Sequence, residues 1–381
     1  MTETSAAAPE QKSPAPARSG EEAFTAKGGG FLRDIWYVAV PSKDLKRGKL
    51  LKKKYLGEPM ALGRDASGAA FALRDICPHR AVPLSAGRMV KEESGETTVE
   101  CPYHGWRFAA SDGGCRAIPS LVDGQAFDLS KIAVRRYPTA EQDDLVWIFM
   151  GATPESTPDG PPPRLANMVL KSGASEGRVK FVERALLECH MDHAVIGLID
   201  PAHTPFVHQS PLWRTPKGLK AKEKRFEPTE LGFTMVSHKP VNSPLYRIIG
   251  GEIRVEIQFL LPGLRAESIR NETHGYLGLA ACTPIDEANT EIHQIMYWDT
   301  PVLDVLSLIA RPFTHTFLQQ DARIMRLQGE GLAHDPPLMQ IPDADTLMVW
   351  YRRLKREWTK SREDARAFEN PVKAATLRWR T

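Results

Sequence analysis

The sequence predicts an α+β protein in two parts, a small all-β unit followed by a larger antiparallel sheet wrapped on helices. Three observations carry this. Between Ile35 and Met150 short β-type runs alternate with turn signals. A proline-rich break follows, and beyond it helical and alternating periods mix, with the strands gathered in the middle rather than alternating one by one with helices. A chain of 381 residues also exceeds the size at which one hydrophobic core usually stops growing, so two domains are expected.

Taken in order, residues 1–28 are rich in Ala, Pro, Ser, Glu and Gly without hydrophobic period, the composition of a disordered tail. Residues 29–152 hold runs such as Ala69 to Ile76 and Leu145 to Met150, punctuated by Asp65-Ala66-Ser67-Gly68 and Ser111-Asp112-Gly113-Gly114. The stretch Gly151 to Arg164, with Pro154, Pro158, Pro161, Pro162 and Pro163, can continue neither a strand nor a helix, so a second domain is expected over 153–381. There a helix is expected around Leu186 to Ile199, and strands at Phe233 to His238, Glu252 to Leu261, Tyr276 to Cys282 and Glu291 to Trp298. The last third reads as helical, and no internal repeat is visible.

Composition excludes several classes. Hydrophobic residues at 42% and charged ones at 25% fit a soluble globular protein, and a net charge of +3 is too small to point to nucleic acid. The basic run Lys43 to Lys54, six Lys and one Arg, reads either as a solvated strand and loop or as a docking surface for an acidic redox partner. No run of about 18 apolar residues occurs, so no membrane span is expected. Five cysteines, at 77, 101, 115, 189 and 282, are an odd set in a chain too large to need disulfide staples, and a cytoplasmic location is expected.

Two motifs carry chemistry. Cys77-Pro78-His79 and Cys101-Pro102-Tyr103-His104 place two thiolates and two imidazoles in short loops, each after a β run. Such a set can hold tetrahedral zinc. Zinc modules, however, pair Cys with Cys and His with His, whereas each loop here offers one of each, which suits a 2Fe-2S cluster with two Cys on one iron and two His on the other. Cys115 has no nearby His and reads as a small buried apolar residue.

The second motif, Asp200-Pro201-Ala202-His203-Thr204-Pro205-Phe206-Val207-His208, gathers one carboxylate and two imidazoles within nine positions. On a straight helix His203 and His208 diverge, and Pro205 is expected to break the helix and turn His208 back. A two-His, one-carboxylate site that leaves iron positions open needs one more acid. Asp321 is the candidate, set among Phe313, Phe317, Ile324 and Met325 at helical spacing, an apolar stripe in which an unpaired carboxylate would be costly. Cys189, His190, Asp192 and His193 form a rival cluster, without a proline to redirect them, and are expected to pack or to support the site.

Cys77-Pro-His79-Arg80 with Cys101-Pro-Tyr-His104-Gly105-Trp106 resembles the Rieske motif, and with the second motif the chain, from about Ile35 to Trp358, is similar to the terminal oxygenase component of the Rieske non-heme iron family, of the type without small subunits. The resemblance implies a Rieske domain followed by a helix-grip, START-like sheet domain. It implies Cys77, His79, Cys101 and His104 on the cluster, Trp106 and Phe108 beside it, and amides near Arg80 and Gly105 donating to its sulfurs. It further implies His203, His208 and Asp321 on a mononuclear Fe(II), and Asp200 as the acid that bridges the two centres across a head-to-tail homotrimer. Gln320 and Gln328, Thr283-Pro284-Ile285-Asp286 and Tyr351-Arg352-Arg353 also resemble such members, whereas Gly197-Leu198-Ile199 departs from a pattern in which Asn often precedes the bridging acid.

The implied reaction is hydroxylation or oxidative demethylation of an aromatic or alicyclic small molecule by O2. Its electrons would come from NAD(P)H through a separate ferredoxin or flavin reductase, since no glycine-rich dinucleotide fingerprint follows a strand here. The competing reading is a Rieske-type electron carrier fused to a hydrophobic-ligand-binding domain, which leaves His203, His208 and Asp321 without a purpose.

Overall fold

The structure is a computed structural model and describes residues 28–164, 178–208, 219–240 and 251–381. The tail expected over residues 1–28 lies, apart from Gly28, outside the described residues.

The first part is built of short strands: β1 (Ile35–Pro41), β2 (Leu51–Tyr55), β3 (Glu58–Arg64), β4 (Ala70–Arg74), β5 (Arg88–Lys91), β6 (Thr97–Glu100), β7 (Arg107–Ala109), β8 (Cys115–Ala117), β9 (Arg136–Tyr137), β10 (Thr139–Gln142) and β11 (Leu145–Met150). They pair as three small sheets, β1-β11-β10, β2-β3-β4-β9 and β5-β6-β7-β8. The expected turn residues do their work: the Asp65 carboxylate accepts from the backbone of Gly68 and Ala69, and that of Asp112 from Gly114. Residues 151–164 carry neither helix nor strand.

The second part holds β12 (Phe181–Leu187), α1 (Met191–Ile199), α2 (Thr204–Val207), β13 (Ala221–Thr229), β14 (Gly232–His238), β15 (Arg254–Leu260), β16 (Leu264–Arg270), β17 (Gly275–Asp286), β18 (Asn289–Trp298), α3 (Pro301–Leu332), α4 (Thr346–Glu363) and β19 (Ala375–Arg380). One antiparallel sheet of eight strands, in the order β12-β18-β17-β16-β15-β14-β13-β19, runs through it, with α1 on β17 and β18 and α3 on β12. The α+β class is as expected, and the four expected strands are present, three of them longer than expected and β15 shorter.

Two expectations are corrected. The stretch expected to be helical from Leu186 begins as strand β12, because Leu186 points outward and Leu187 inward in register with β18, and the helix starts only at Met191. His190 sets that start, its Nδ1 accepting from the Asp192 N–H at 3.1 Å as an N-cap. The last third is not helical throughout: Leu377 and Trp379 face the core while Thr376, Arg378 and Arg380 face out, a period of two that makes the sheet edge β19.

Both faces of the β1–β11 ribbon are buried. Tyr37, Ala39, Val146 and Ile148 turn toward a core shared with Tyr55, Met60 and Leu62 and, from the second part, Met191, Val195 and Tyr351. Trp36, Val38, Trp147 and Phe149 turn the other way onto Leu264, Leu279, Ile295 and Tyr297 of the large sheet. Period-two alternation therefore cements two cores through one pair of strands. Polar bonds repeat the join: the Thr283 hydroxyl donates to Val38 O at 2.7 Å and the Tyr297 hydroxyl to Asp143 O at 3.0 Å. The N–H groups of Leu56 and Gly57 donate to Pro284 O and Ile285 O at 2.9 and 2.8 Å. Part of the basic run belongs to this seam, Lys53 pairing with Glu291 and Lys54 with Asp286, while Lys43, Lys46, Lys49 and Lys52 stay exposed.

His293 lies in the same seam, fully buried, with Nε2 3.4 Å from a Glu291 oxygen. Burial outweighs the nearby carboxylate and pushes its pKa down to about 4. Between that value and the unfolded reference near 6.5 the unfolded chain binds the extra proton, so this stability is complete above 6.5 and is lost as pH falls toward 4. Unfolding free energies from urea titrations at pH 7 and pH 4.5 are expected to differ by about 2–3 kcal/mol more in the native protein than in His293→Leu. Equal acid sensitivity in the two would remove His293 from this account.

Candidate metal centres

The first centre is two loops of one design. Cys77 donates its N–H to Val82 O and accepts at its carbonyl from Ala81; Cys101 donates to Trp106 O and accepts from Gly105, all at 2.8–3.0 Å. Each turn needs a left-handed residue four places after its cysteine, Ala81 at φ 58° and Gly105 at φ 70°. Gly105 meets that demand freely, and Ala81 pays about 1 kcal/mol for it. The loops are held close because Gly87 lies against Glu100 O, where a Cβ would sit 1.9 Å away. Asp75, two residues before the first cysteine, ties down its loop by accepting from the Ser85 N–H and hydroxyl, each at 2.6 Å.

This places the thiols of Cys77 and Cys101 inside and the rings of His79 and His104 outside. The rings lie 4.6 Å apart between centroids, and Trp106 stacks on His79 at 4.7 Å. The Cys77 thiol is pushed up, first by burial and also by its neighbour Cys101, while the N–H groups of His79 and Arg80 pull it down. A buried pair of thiols facing amide donors, beside two solvent-facing imidazoles, is a donor set that fits a 2Fe-2S cluster. Phe108 shares the surrounding core with both cysteines, as does Cys115, whose thiol donates to Ala117 O. The Gly105 N–H is not spent on sulfur; it closes the turn on the Cys101 carbonyl.

The second centre forms where three segments converge. Helix α1 ends at Ile199, capped by Asp200, whose N–H bonds Ile196 O and whose Oδ1 accepts from Ala202 N–H at 2.7 Å. The chain then turns and starts α2 with Pro205 in its first turn, where a missing N–H costs nothing. The expected proline break is thus a helix start; His203 and His208 face one another because they flank a new one-turn helix, not because an old helix is broken between them. Their Nε2 atoms lie 3.3 Å apart. Asp321 of α3 brings Oδ1 within 3.2 Å of His208 Nε2 and 4.0 Å of His203 Nε2. Among the described residues, His203, His208 and Asp321 are the set whose ligand atoms all lie within 4.8 Å of one another.

The surroundings fix the rings. His203 Nδ1 donates to Asp200 O at 2.8 Å, and His208 Nδ1 donates to Gln320 Oε1 at 3.1 Å, which leaves both Nε2 lone pairs for a metal. His208 also stacks on Phe317. Burial lowers the pKa of His203, keeping it neutral and able to ligate. The apolar stripe expected around Asp321 is only half present: Met325 is buried, but Phe313 and Ile324 face solvent, and the Asp321 side chain is 26% exposed. A shallow hollow of about 270 Å³ opens beside it, bounded by Phe206, Val207, Gln320, Arg323 and Ile324.

The rival cluster is accounted for otherwise. Asp192 accepts from Lys355 Nζ at 2.6 and 2.7 Å, from the Tyr351 hydroxyl at 2.7 Å and from Gly29 N–H at 2.8 Å. Burial alone would raise its pKa, yet Lys355 and these donors hold it below the usual carboxylate range. His190 stacks on Phe31, and burial pushes the Cys189 thiol up to about 12. These residues lock the chain entering the first part onto α1 and α4. Sequence reasoning missed that lock and the Asp75–Ser85 clasp, because neither pairing leaves a local signal.

Residues 35–138 match the Rieske [2Fe-2S] domain, and residues 187–361 match the vanillate O-demethylase oxygenase C-terminal domain. The chain is 26% identical to chlorophyllide a oxygenase of Arabidopsis thaliana over 335 residues, covering 84% of this chain and 56% of that protein. With the oxygenase component of dicamba O-demethylase from Stenotrophomonas maltophilia it shares 33% identity over 180 residues, 47% of this chain and 48% of the other. It therefore spans about half the length of these curated relatives. In fold it is similar to dicamba monooxygenase bound to 3,6-dichlorosalicylic acid, with a TM-score of 0.67 and 23% identity over 89% of this chain and 100% of that one. With a Rieske domain leading into an oxygenase C-terminal domain, the chain belongs to the Rieske non-heme iron oxygenases.

Proposed function

We propose that this protein is a terminal oxygenase that hydroxylates or oxidatively demethylates a small aromatic or alicyclic molecule, with Cys77, His79, Cys101 and His104 holding the 2Fe-2S cluster and His203, His208 and Asp321 holding Fe(II). The observation that carries this is the convergence of His203, His208 and Asp321, whose ligand atoms lie within 4.8 Å of one another: a metal held by these three would keep coordination positions open, which a structural site does not do. Once bound, the cluster supplies one-electron storage and the iron supplies O2 activation. The names of the relatives include both demethylases and dioxygenases, so the reaction is proposed at this breadth.

The residues' parts follow from their placement. His79 and His104 are the exposed edge at which electrons enter from a separate ferredoxin or flavin reductase, itself reduced by NAD(P)H. The exposed lysines of the 43–54 run supply a basic surface for it. Asp200 is half exposed and leans on His203, its Oδ2 3.8 Å from Nδ1, the position of an acid that links an incoming imidazole to the iron site. Exposed His104 and exposed Asp200 suit a contact between copies of the chain, and a head-to-tail homotrimer is the assembly we infer. The domains divide at 152/153. The described cysteines form no disulfide, in keeping with a cytoplasmic protein, and no described helix is long and apolar enough to cross a membrane.

Three measurements test this. Reconstituted protein is expected to hold about three irons per chain; Asp321→Ala should keep two, with the visible bands of a histidine-ligated cluster intact, and lose single-turnover O2 uptake. Two irons in the native protein would instead favour an electron carrier. Asp200→Asn should keep all three irons and lose turnover by at least a hundredfold; unchanged turnover would show that Asp200 is no bridge. Light scattering should return about three times the chain mass of 42.4 kDa, and a monomer active at every dilution would end the trimer.

A further inference from the structure

The two imidazoles of the triad are held by unequal means. His203 Nδ1 donates to Asp200 O at 2.8 Å, a bond closed within its own turn. The buried His208 ring takes its support from α3 instead. Its Nδ1 lies 3.1 Å from Gln320 Oε1, 112 residues away in sequence. Its face stacks on Phe317, with ring centroids 3.4 Å apart and planes 13° from parallel. Phe317, Gln320 and Asp321 stand at i, i+3 and i+4 of α3 and so share one face of that helix. One turn of helix therefore meets the ring at its face and at Nδ1, and sets a carboxylate opposite its Nε2.

The Gln320 contact decides which nitrogen of His208 carries the proton. A neutral imidazole has one N–H, and a carbonyl oxygen beside Nδ1 keeps that proton there. An amide could turn its NH2 end to the ring, but only its oxygen suits a histidine that ligates through Nε2. The Nε2 lone pair then faces Asp321 Oδ1 at 3.2 Å and His203 Nε2 at 3.3 Å, an arrangement that favours a cation. The other tautomer would carry its proton on Nε2 and give it to Asp321. That internal hydrogen bond would close the triad on itself, and a metal would have to break it before binding.

The acceptor is also neutral. A carboxylate in its place would pull harder on the Nδ1 proton and make Nε2 a stronger donor to metal. The amide fixes the tautomer without adding a second negative charge beside Asp321.

Resting on the metal-site reading above, we propose that Gln320 is a positioning residue for the mononuclear metal: by accepting from His208 Nδ1 it holds the buried ring in the tautomer that ligates and keeps it from closing on Asp321. The test is metal affinity, independent of turnover. The full chain, with its cluster loaded and the mononuclear metal stripped by chelation, is titrated with Fe(II) without oxygen, in competition with a chromophoric chelator. Gln320→Leu, which keeps most of the bulk and removes the acceptor, is expected to weaken Fe(II) binding about 10–100-fold with cluster content unchanged. Gln320→Glu, which puts an acceptor back, is expected to bind at least as tightly as the native chain. A residue needed only for packing would show no such split between the two variants. Gln320→Asn, which draws the amide back by one methylene, serves if Gln320→Leu does not fold, and should weaken binding at least tenfold. Affinity within about threefold of native in the variant that lacks the acceptor, or an equal loss in Gln320→Glu, would overturn the proposal. A native chain that takes up no iron beyond its cluster would overturn the oxygenase reading along with it, a failure seen before any variant is made.

Discussion

The double burial of the β1–β11 ribbon is the constraint on which the rest of the structure depends. A strand that faces water on one side can shift with little loss, but here a slip by one residue would send Tyr37 and Ile148 into the core that holds Trp36 and Trp147, and the reverse. The loop that carries Cys77 and His79 leaves a sheet anchored to one face of the ribbon, the Cys101 loop's sheet packs on that sheet through Val99 and Phe108, and the large sheet of the second part rests on the ribbon's other face. Neither metal-bearing half can drift from its place without breaking both cores. Under the function proposed above, in which electrons pass between two centres, that rigidity would serve function as well as stability.

The two centres solve opposite electrostatic problems. At the first, burial pushes the Cys77 thiol toward its protonated form, and the amide N–H groups of His79 and Arg80 aimed at its sulfur work the other way, toward the thiolate that a metal needs. At the second, burial keeps the His203 imidazole neutral, while the Asp321 side chain stays partly wet. Soft donors buried and hard donors half-exposed match the two kinds of iron chemistry, one that stores an electron and one that must admit O2 and an organic molecule.

The ligand residues were legible because metal chemistry writes itself in short spacings: Cys-x-His and Cys-x-x-His, or two imidazoles five apart. Asp321 was legible only by elimination and resemblance, since it lies more than a hundred residues from the histidines and its apolar setting is half real. What could not be read were pairings between distant segments. The clasp of Asp75 on Ser85, the lock of Asp192 on Lys355 and the seam of Glu291 with Lys53 depend on which strands lie beside one another, a matter of register and not of local sequence. Two errors had local remedies: Leu186 and Leu187 alternate in and out as a strand does, and Thr376 to Arg380 shows the same period before the chain ends.

The same register explains why the charged residues of the large sheet are not misplaced. Arg265 and Glu267 lie on the face of the sheet opposite Leu264 and Ala266, and like Glu183 they keep about a quarter to a third of their side chains in solvent. Arg265 and Glu267 neutralise one another at 3.1 Å, which offsets part of the cost of keeping them there.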